Sequence, residues 1–361
     1  MSFSWGLTEF EKAVSHAEKS VSQWEILSDM LSRVRLSDVA AAAQVSVATA
    51  SKALNGTGRM ADETRERVQR VARDLDFRPN VTARALTSQR SLTIGLLTND
   101  SYGRFTMPVM SGVADALVGQ GVSVFMCNTE DDPAIGQMYL RAMLDKQVDG
   151  IILTGKRIDK RLPVDLSGVS VPVVYAFTDA PADAVSVVPD DAQGARDAVA
   201  CLVANGRKRL VHITGPESFA SVRERAEAFR SVAGDAQVLG GEWSERWGHE
   251  AIARLWQVAG PRPDGVFCGS DQIARGVIDA LRERSVSVPE DVAVVGFDNW
   301  DIVASATRPP LTTVDLNLKE LGRKAGQLIL ALSAGQDIEP GVRRLPCRLV
   351  LRQSCGGEAR A

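Results

Sequence analysis

From Ser91 onward, short apolar runs alternate with stretches of helical periodicity, and few architectures accept that pattern. Residues 93–97, 122–126, 150–153, 171–177, 210–214, 265–268 and 292–296 read as buried strands. Between them, residues 107–119, 134–146, 193–204, 223–233, 247–258 and 272–284 carry apolar positions at helical spacing. Strand–helix alternation of this kind builds parallel, doubly wound sheets. The chain holds enough of it for two such sheets. A last helix over 318–332 and a last strand over 345–351 return to one or both lobes.

In such sheets a ligand sits outside the carboxyl ends of the strands. The residues just after each strand are therefore the candidates. Asn99 and Asp100 follow the first, with Tyr102 and Phe105 on the next loop. Thr178 and Asp179 follow 171–177, and Ser218, Ser221, Arg223 and Arg225 follow 210–214. Ser270 and Asp271 follow 265–268, Asp298 and Asn299 follow 292–296, and Trp243 lies in Gly241-Glu242-Trp243-Ser244. These residues predict a polar, charge-paired, aromatic-lined cleft suited to a small hydroxyl-rich ligand. Carboxylates and guanidinium groups bind hydroxyls, and an indole covers an apolar ring face. No G-x-G-x-x-G or Walker A sequence follows any strand, so no nucleotide cofactor is expected. His16, His212 and His249 are too scattered to propose a metal site, and no nucleophile–base pair supports an enzyme.

Ahead of this region, residues 36–55 read as two short helices joined by a tight turn. Ser37 is expected to cap an alanine-rich helix over 38–43, and Gln44-Val45 is the turn. Ser46 caps a second helix over 47–54, closed by Asn55-Gly56. Val39, Ala43, Val45, Ala50 and Leu54 can meet in one small core, leaving Val47, Ala48, Ser51 and Lys52 outward. That is the layout of a helix-turn-helix, whose second helix enters the DNA major groove; on these residues alone a helical hairpin that binds nothing is the alternative. Residues 57–77 read as a third helix, with Val68, Val71, Ala72 and Leu75 as its buried stripe and Arg65, Arg67, Arg70 and Arg73 outside. Pro79 ends it, and Asn80 can cap a short new helix.

With those residues on the page, the chain resembles the LacI/GalR family of transcriptional regulators. The resemblance rests on Leu36-Ser37-Asp38-Val39-Ala40, on Val45-Ser46-x-x-Thr49-x-Ser51-Lys52-x-Leu54-Asn55, and on Thr64-Arg65-x-x-Val68. It continues through Phe77-x-Pro79-Asn80-x-x-Ala83-x-x-Leu86 and Ile94-Gly95, and spans about residues 34–355. It implies a DNA-binding repressor acting as a homodimer on a double-stranded, pseudo-palindromic operator. Ser46, Thr49, Ser51 and Asn55 would hold the DNA backbone, Val47 and Ala48 would meet thymine methyls, and Lys52 a guanine or phosphate. Residues 80–87 would form a hinge helix whose Leu86, with Ala83 beside it, wedges into the minor groove.

The resemblance also implies a two-lobed fold like that of periplasmic sugar-binding proteins, with the effector between the lobes. Arg225 looks like the arginine that contacts the effector, Trp243 like the aromatic that stacks on its ring, and Asp298 like the carboxylate that caps it. Phe105 falls on another aromatic-lining position. Taken singly, Arg225 or Asp298 could instead be an interlobe ion pair, and Trp243 could be core. Two residues depart from the pattern: Phe177 stands where an aspartate is common, and Ser270 where an asparagine is. Ala61 replaces the usual serine cap of the third helix, although Asp62 and Glu63 still favour that terminus. Lys52 stands where arginine is common.

The expected organisation is an N-terminal extension over 1–31, a helix-turn-helix head over 32–78, a hinge over 79–90, a two-lobed α/β effector and dimerisation domain over 91–355, and a tail over 356–361. In the extension, Phe10, Val14, Ala17, Val21, Trp24 and Leu31 form a heptad-like stripe. It packs on a partner or on its own chain, or it precedes the true start at Met30. The net charge of −3 conceals a basic block: residues 33–90 carry 11 Lys/Arg against 6 Asp/Glu, the footprint of a phosphate-binding face or of a solvated helix. No apolar run approaches the ~18 residues of a membrane span. No signal peptide is evident, and five dispersed cysteines suit a reduced compartment, so a cytoplasmic, nucleoid-associated protein is expected. A transport-type sugar-binding protein without a DNA role is the alternative, and the 36–55 motif argues against it.

Overall fold

The computed structural model describes residues 34–77 and 91–356. The chain divides into two compact units, residues 1–89 and 90–361. The heptad stripe of residues 1–31 and the hinge residues Asn80, Ala83 and Leu86 lie outside the described residues.

The first unit contains α1 (Leu36–Ala42), α2 (Val47–Leu54) and α3 (Asp62–Asp74). Val39, Ala43, Ala50, Ala53 and Val68 are fully buried where the three helices meet, with Val45, Leu54 and Phe77 packed on their rim. Small side chains at the centre let short helices approach closely, which is why so alanine-rich a stretch makes a core. Gln44 takes a left-handed φ of 53° between α1 and α2, and Val45 N donates to Ala40 O to close the turn. Gly56, at φ 68°, ends α2 in the same way, with Thr57 N donating to Lys52 O.

Four local expectations are corrected here. Helix α1 begins at Leu36, not Asp38; the Asp38 carboxylate accepts from Arg35 N at 2.7 Å, so Ser37 falls inside the first turn and is not the cap. Helix α3 begins only at Asp62, because Gly56 and Gly58 both hold positive φ and keep residues 57–61 out of the helix. Leu75 lies past its end and is exposed, while Phe77 takes its place against the core. Arg65 is half-buried and donates to Gly58 O at 3.3 Å, bracing that connection rather than facing outward.

The second unit has two six-stranded sheets. One lobe holds β1 (Thr93–Thr98), β2 (Ser123–Asn128), β3 (Gly150–Arg157), β4 (Val173–Thr178) and β5 (Val185–Asp190), with α4 (Thr106–Leu117) and α5 (Pro133–Asp145). The chain crosses over into α6 (Asp191–Ala204), β6 (Leu210–Thr214), α7 (Ala220–Ala233), β7 (Val238–Gly240), α8 (Glu245–Gln257), β8 (Gly265–Cys268), α9 (Asp271–Glu283), β9 (Ala293–Asp298), α10 (Asp301–Ala304) and β10 (Thr312–Asp315) of the other. Helix α11 (Leu318–Ser333) and β11 (Gly341–Pro346) return to the first lobe, and β12 (Arg348–Val350) to the second.

The sheet orders are β11-β5-β4-β3-β1-β2 and β12-β10-β9-β8-β6-β7. Every pairing is parallel except β10–β12. Strand–helix alternation therefore produces the two doubly wound sheets it predicts. The single last strand expected over 345–351 is two strands, split at Cys347, each completing a different sheet. Strands β5, β7 and β10 escape the sequence pattern because they are short or carry Pro189 and threonines in place of a continuous apolar run.

The chain passes between the lobes three times, at Asp190–Asp191, Leu316–Asn317 and Pro346–Cys347. The passages are tied together: Cys347 N donates to Gln193 Oε1 at 2.8 Å, and Asn317 N to Asp315 Oδ1 at 2.7 Å. No helix among the described residues is long and apolar enough to cross a membrane.

Candidate functional site

Two sets of residues are candidates, one in each unit. In the first, Ser46 has extended backbone and its Oγ accepts from Thr49 N at 3.1 Å, capping α2. Ser46 Oγ and Thr49 Oγ1 also lie 2.9 Å apart, and Asn55 Nδ2 donates to Ser51 Oγ at 3.4 Å. These polar residues form two hydrogen-bonded pairs, one at the start of the helix and one at its end. Val47 is 49% exposed, and Ala48 and Lys52 are exposed beside it, while Ala50 and Ala53 point into the core. The exposed side of α2 thus presents small apolar groups and hydroxyls from its first turn and one ammonium, Lys52, from its last.

In the second unit, a cavity of about 380 Å3 opens between the lobes at the carboxyl ends of both sheets. Of the predicted effector residues, it gathers Phe105, Ser221, Arg225, Trp243 and Asp298. Asn99 is buried behind the lining and reaches it through Asp131, donating from Nδ2 to Oδ1 at 2.7 Å. Tyr102 is almost wholly exposed, and Asp179 is engaged with Arg161.

The walls are aromatic. Phe105 stacks on Phe177 with ring centroids 5.1 Å apart, and Phe219 meets Trp243 edge to face at 5.6 Å. Trp243 lies flat on Gly215, where a Cβ would overlap the indole. Backbone strain collects at the same place. Phe177 has φ 55°, Asp298 φ 105° and Asn299 φ 50°, all in regions that side-chain-bearing residues avoid.

Arg225 is 4% exposed and fully occupied within its own lobe. It donates to Asp191 Oδ1 (Nε, 2.7 Å; Nη2, 2.5 Å) and to Gly269 O (Nη1, 2.7 Å), and its guanidinium covers the Phe297 ring. Burial pushes the Asp191 carboxyl upward, with Arg225 opposing. Its second oxygen, Oδ2, is buried without a hydrogen-bond partner among the described residues.

Asp298 is the interlobe ion pair that the single-residue reading allowed. Arg104, on the loop between β1 and α4, reaches across to Asp298 Oδ2 at 2.5 Å and Gln272 Oε1 at 3.0 Å. Arg104 also packs on the Trp300 ring, 4.4 Å from its centroid. The loop is held by Asp100, whose Oδ2 accepts from Phe105 N and Thr106 N. Burial pushes the Asp298 carboxyl up, against Arg104 and Arg225. Behind it, Asp271 accepts from Trp300 N and Thr313 Oγ1, and burial with the neighbouring Asp298 raises its pKa to about 8.

A second tie between the lobes runs from Arg157. It chelates Asp159 at 2.6 and 2.9 Å, donates to Ser218 O at 3.2 Å and covers the Phe219 ring at 3.7 Å, while Asp159 accepts from Ala220 N. Ser270 spends its hydroxyl capping α9, accepting from Ile273 N.

Sequence reasoning missed Arg104, Asp131, Lys156, Arg157, Asp191 and Gln272. Arg104 lies in the same loop as Tyr102 and Phe105 and was there to be weighed. Lys156 and Arg157 sit inside the last turn of a strand read as ending at Leu153, so the strand-end rule did not reach them. Among the described residues no group of His, Cys, Asp and Glu side chains could hold a metal ion.

Comparison with known proteins finds relatives for both parts of the chain. Residues 35–80 match the family described as bacterial regulatory proteins, lacI family, and residues 199–355 a periplasmic binding protein-like domain. The catabolite control protein A of Staphylococcus epidermidis is 31% identical over 88% of this chain and 98% of that protein. The lac repressor dimer bound to operator and the anti-inducer ONPF is 27% identical, with a TM-score of 0.70 over 89% of this chain and 99% of that one. The transcriptional regulator CelR in complex with cellobiose is 28% identical, with a TM-score of 0.62 over 89% of this chain and all of that one.

Proposed function

The chain belongs to the LacI family of DNA-binding transcriptional repressors, and we propose from that premise that it binds a pseudo-palindromic operator as a homodimer, under the control of a small hydroxyl-rich effector held in the interlobe cavity. Its relatives include transcriptional repressors and not enzymes, and the cavity is read accordingly as a control site.

The observation that carries the reading is the capped α2 helix. Ser46 fixes its first turn, and Val47, Ala48 and Lys52 stand free on it. Val47 and Ala48 contact thymine methyls and allow close approach, Lys52 takes a guanine or phosphate, and Ser46, Thr49, Ser51 and Asn55 fix the helix on the backbone. From Asn80, a hinge segment carrying Ala83 and Leu86 wedges the minor groove, unstacking a step at a cost of a few kcal/mol. Support for a sugar-like effector comes from the cellobiose complex of one solved relative and from the ring-facing Trp243 and Phe219 of this chain. The effector shifts the balance between open and closed lobes, and closure alters the spacing of the paired hinges.

The test is selection of random duplexes on the purified protein at two salt concentrations. A palindrome of roughly one to two helical turns with a central C-G step is expected. Salt-sensitive, sequence-indifferent binding, unchanged by a panel of sugars and nucleosides, would overturn the reading.

A further inference from the structure

The charges around the cavity do not balance. Its lining holds five cations, Arg104, Lys156, Arg157, Lys160 and Arg225, but three carboxylates, Asp131, Asp191 and Asp298, counted among the described residues. Arg104 is matched by Asp298, Arg225 by Asp191, and Arg157 by Asp159 just behind the wall. What remains is one carboxylate for two ammonium groups. Lys156 Nζ lies 2.8 Å from Asp131 Oδ2 and Lys160 Nζ 3.1 Å from Oδ1. Burial would raise the Asp131 pKa, but the hydrogen bonds from Lys156, Asn99 and Lys160 outweigh it and hold it at about 2. The aspartate is therefore ionised and carries a single negative charge between two ammonium groups, so one positive charge is left over at the mouth of the cavity. Both lysines are about half exposed, so the surplus faces entering solutes.

The same lobe also supplies an apolar surface. Phe177, on the strand beside Lys156, stacks with Phe105 into an apolar floor. Among the described residues that line the cavity, the unpartnered carboxylate oxygen is Asp191 Oδ2, deep in the other lobe. An occupant that satisfied both ends would carry negative oxygens toward Lys156 and Lys160, an apolar ring face, and a hydroxyl toward Asp191.

We propose that the effector is a sugar-sized anion, a sugar acid or a sugar phosphate, whose charged group is held by Lys156 and Lys160 and whose hydroxyl is held by Asp191. This rests on the effector-controlled repressor reading and narrows its ligand.

The test is calorimetric titration of the full-length protein with matched sets of probes: glucose, glucuronate and glucose 6-phosphate; ribose, ribonate and ribose 5-phosphate; and inorganic phosphate alone. The charged member of a set is expected to bind at least about 10-fold more tightly than its neutral partner, the range of a charge-assisted hydrogen bond. Carboxylate and phosphate arms then separate the two kinds of anion. In the Lys156→Gln/Lys160→Gln variant that margin disappears. In Asp131→Asn, which frees both ammonium groups, anion binding tightens, a gain that a merely structural role would not produce. A neutral sugar that binds as tightly as its acid, or a panel in which nothing binds, overturns the inference. Operator titration of the same samples reads the repressor function separately: sequence-specific DNA binding that survives such a result leaves that reading standing, and its loss removes both.

Discussion

Arg104 on one lobe and Asp298 on the other are joined at 2.5 Å across the mouth of the cavity, with Gln272 and the Trp300 ring completing the surroundings of the guanidinium. Asp298 also holds a positive φ of 105°, so the carboxylate is delivered to the cleft by a strained strand end. The two lobes are thus tied together by the protein's own side chains, and an occupant that engages Asp298 competes with Arg104.

Breaking this pair from one side should be costly. Arg104→Ala leaves a carboxylate that is largely buried and unpaired, and a loss of about 3 kcal/mol is expected in urea denaturation. Arg104→Ala/Asp298→Asn should recover part of that loss, since no buried charge is then left alone. Small-angle scattering should show a wider cleft in both. A single variant as stable as the wild type would mean that the ion pair contributes nothing to closure.

Removal of the α2 cap tests the head. Ser46→Ala deletes the acceptor of Thr49 N, with an expected loss of about 1 kcal/mol in head stability. Operator affinity should fall with it, because the first turn carries Val47 and Ala48. Hydrogen exchange at the Thr49 amide reports the cap directly; unchanged protection there would contradict the assignment.

Lys52 and Leu86 should fail in distinguishable ways. Loss of one phosphate contact in Lys52→Ala should weaken binding to all duplexes alike and reduce the slope of log K against log salt by about 1. Leu86→Ala should weaken the selected operator strongly, spare random DNA, and leave folding intact. Equal operator affinity in Leu86→Ala and wild type would remove the wedge from the mechanism.

The buried Asp271 sets a pH dependence. Its pKa is raised to about 8, first by burial and then by Asp298, against about 3.9 in an unfolded chain. A raised carboxyl contributes stability that is complete below about pH 4 and is lost as pH rises through about 8. The melting temperature should therefore decline from pH 5 to pH 9. Asp271→Asn, neutral throughout, should flatten that decline. A wild-type profile no steeper than that of the variant would show that Asp271 is ionised at neutral pH.

Much of this protein is legible in one dimension. Ser46 announces its helix because a hydroxyl four residues ahead of Ala50 can reach only the amides of the next turn. The strand–helix alternation after Ser91 commits the chain to parallel sheets, and the carboxyl-end rule leads to Phe105, Ser221, Arg225, Trp243 and Asp298 without any contact being known. Those signals are local: capping and burial periodicity act within a few residues, so sequence order preserves them. What tertiary structure alone decided is who faces whom. Arg104 meets Asp298 across 194 positions of sequence, and Asp131, Lys156 and Lys160 come together from the ends of two strands. Neither the surplus charge at the cavity mouth nor the unpartnered oxygen of Asp191 has a local signature. Both are balances struck between side chains from separate loops, and such a balance exists only once two sheets have placed those loops around one space.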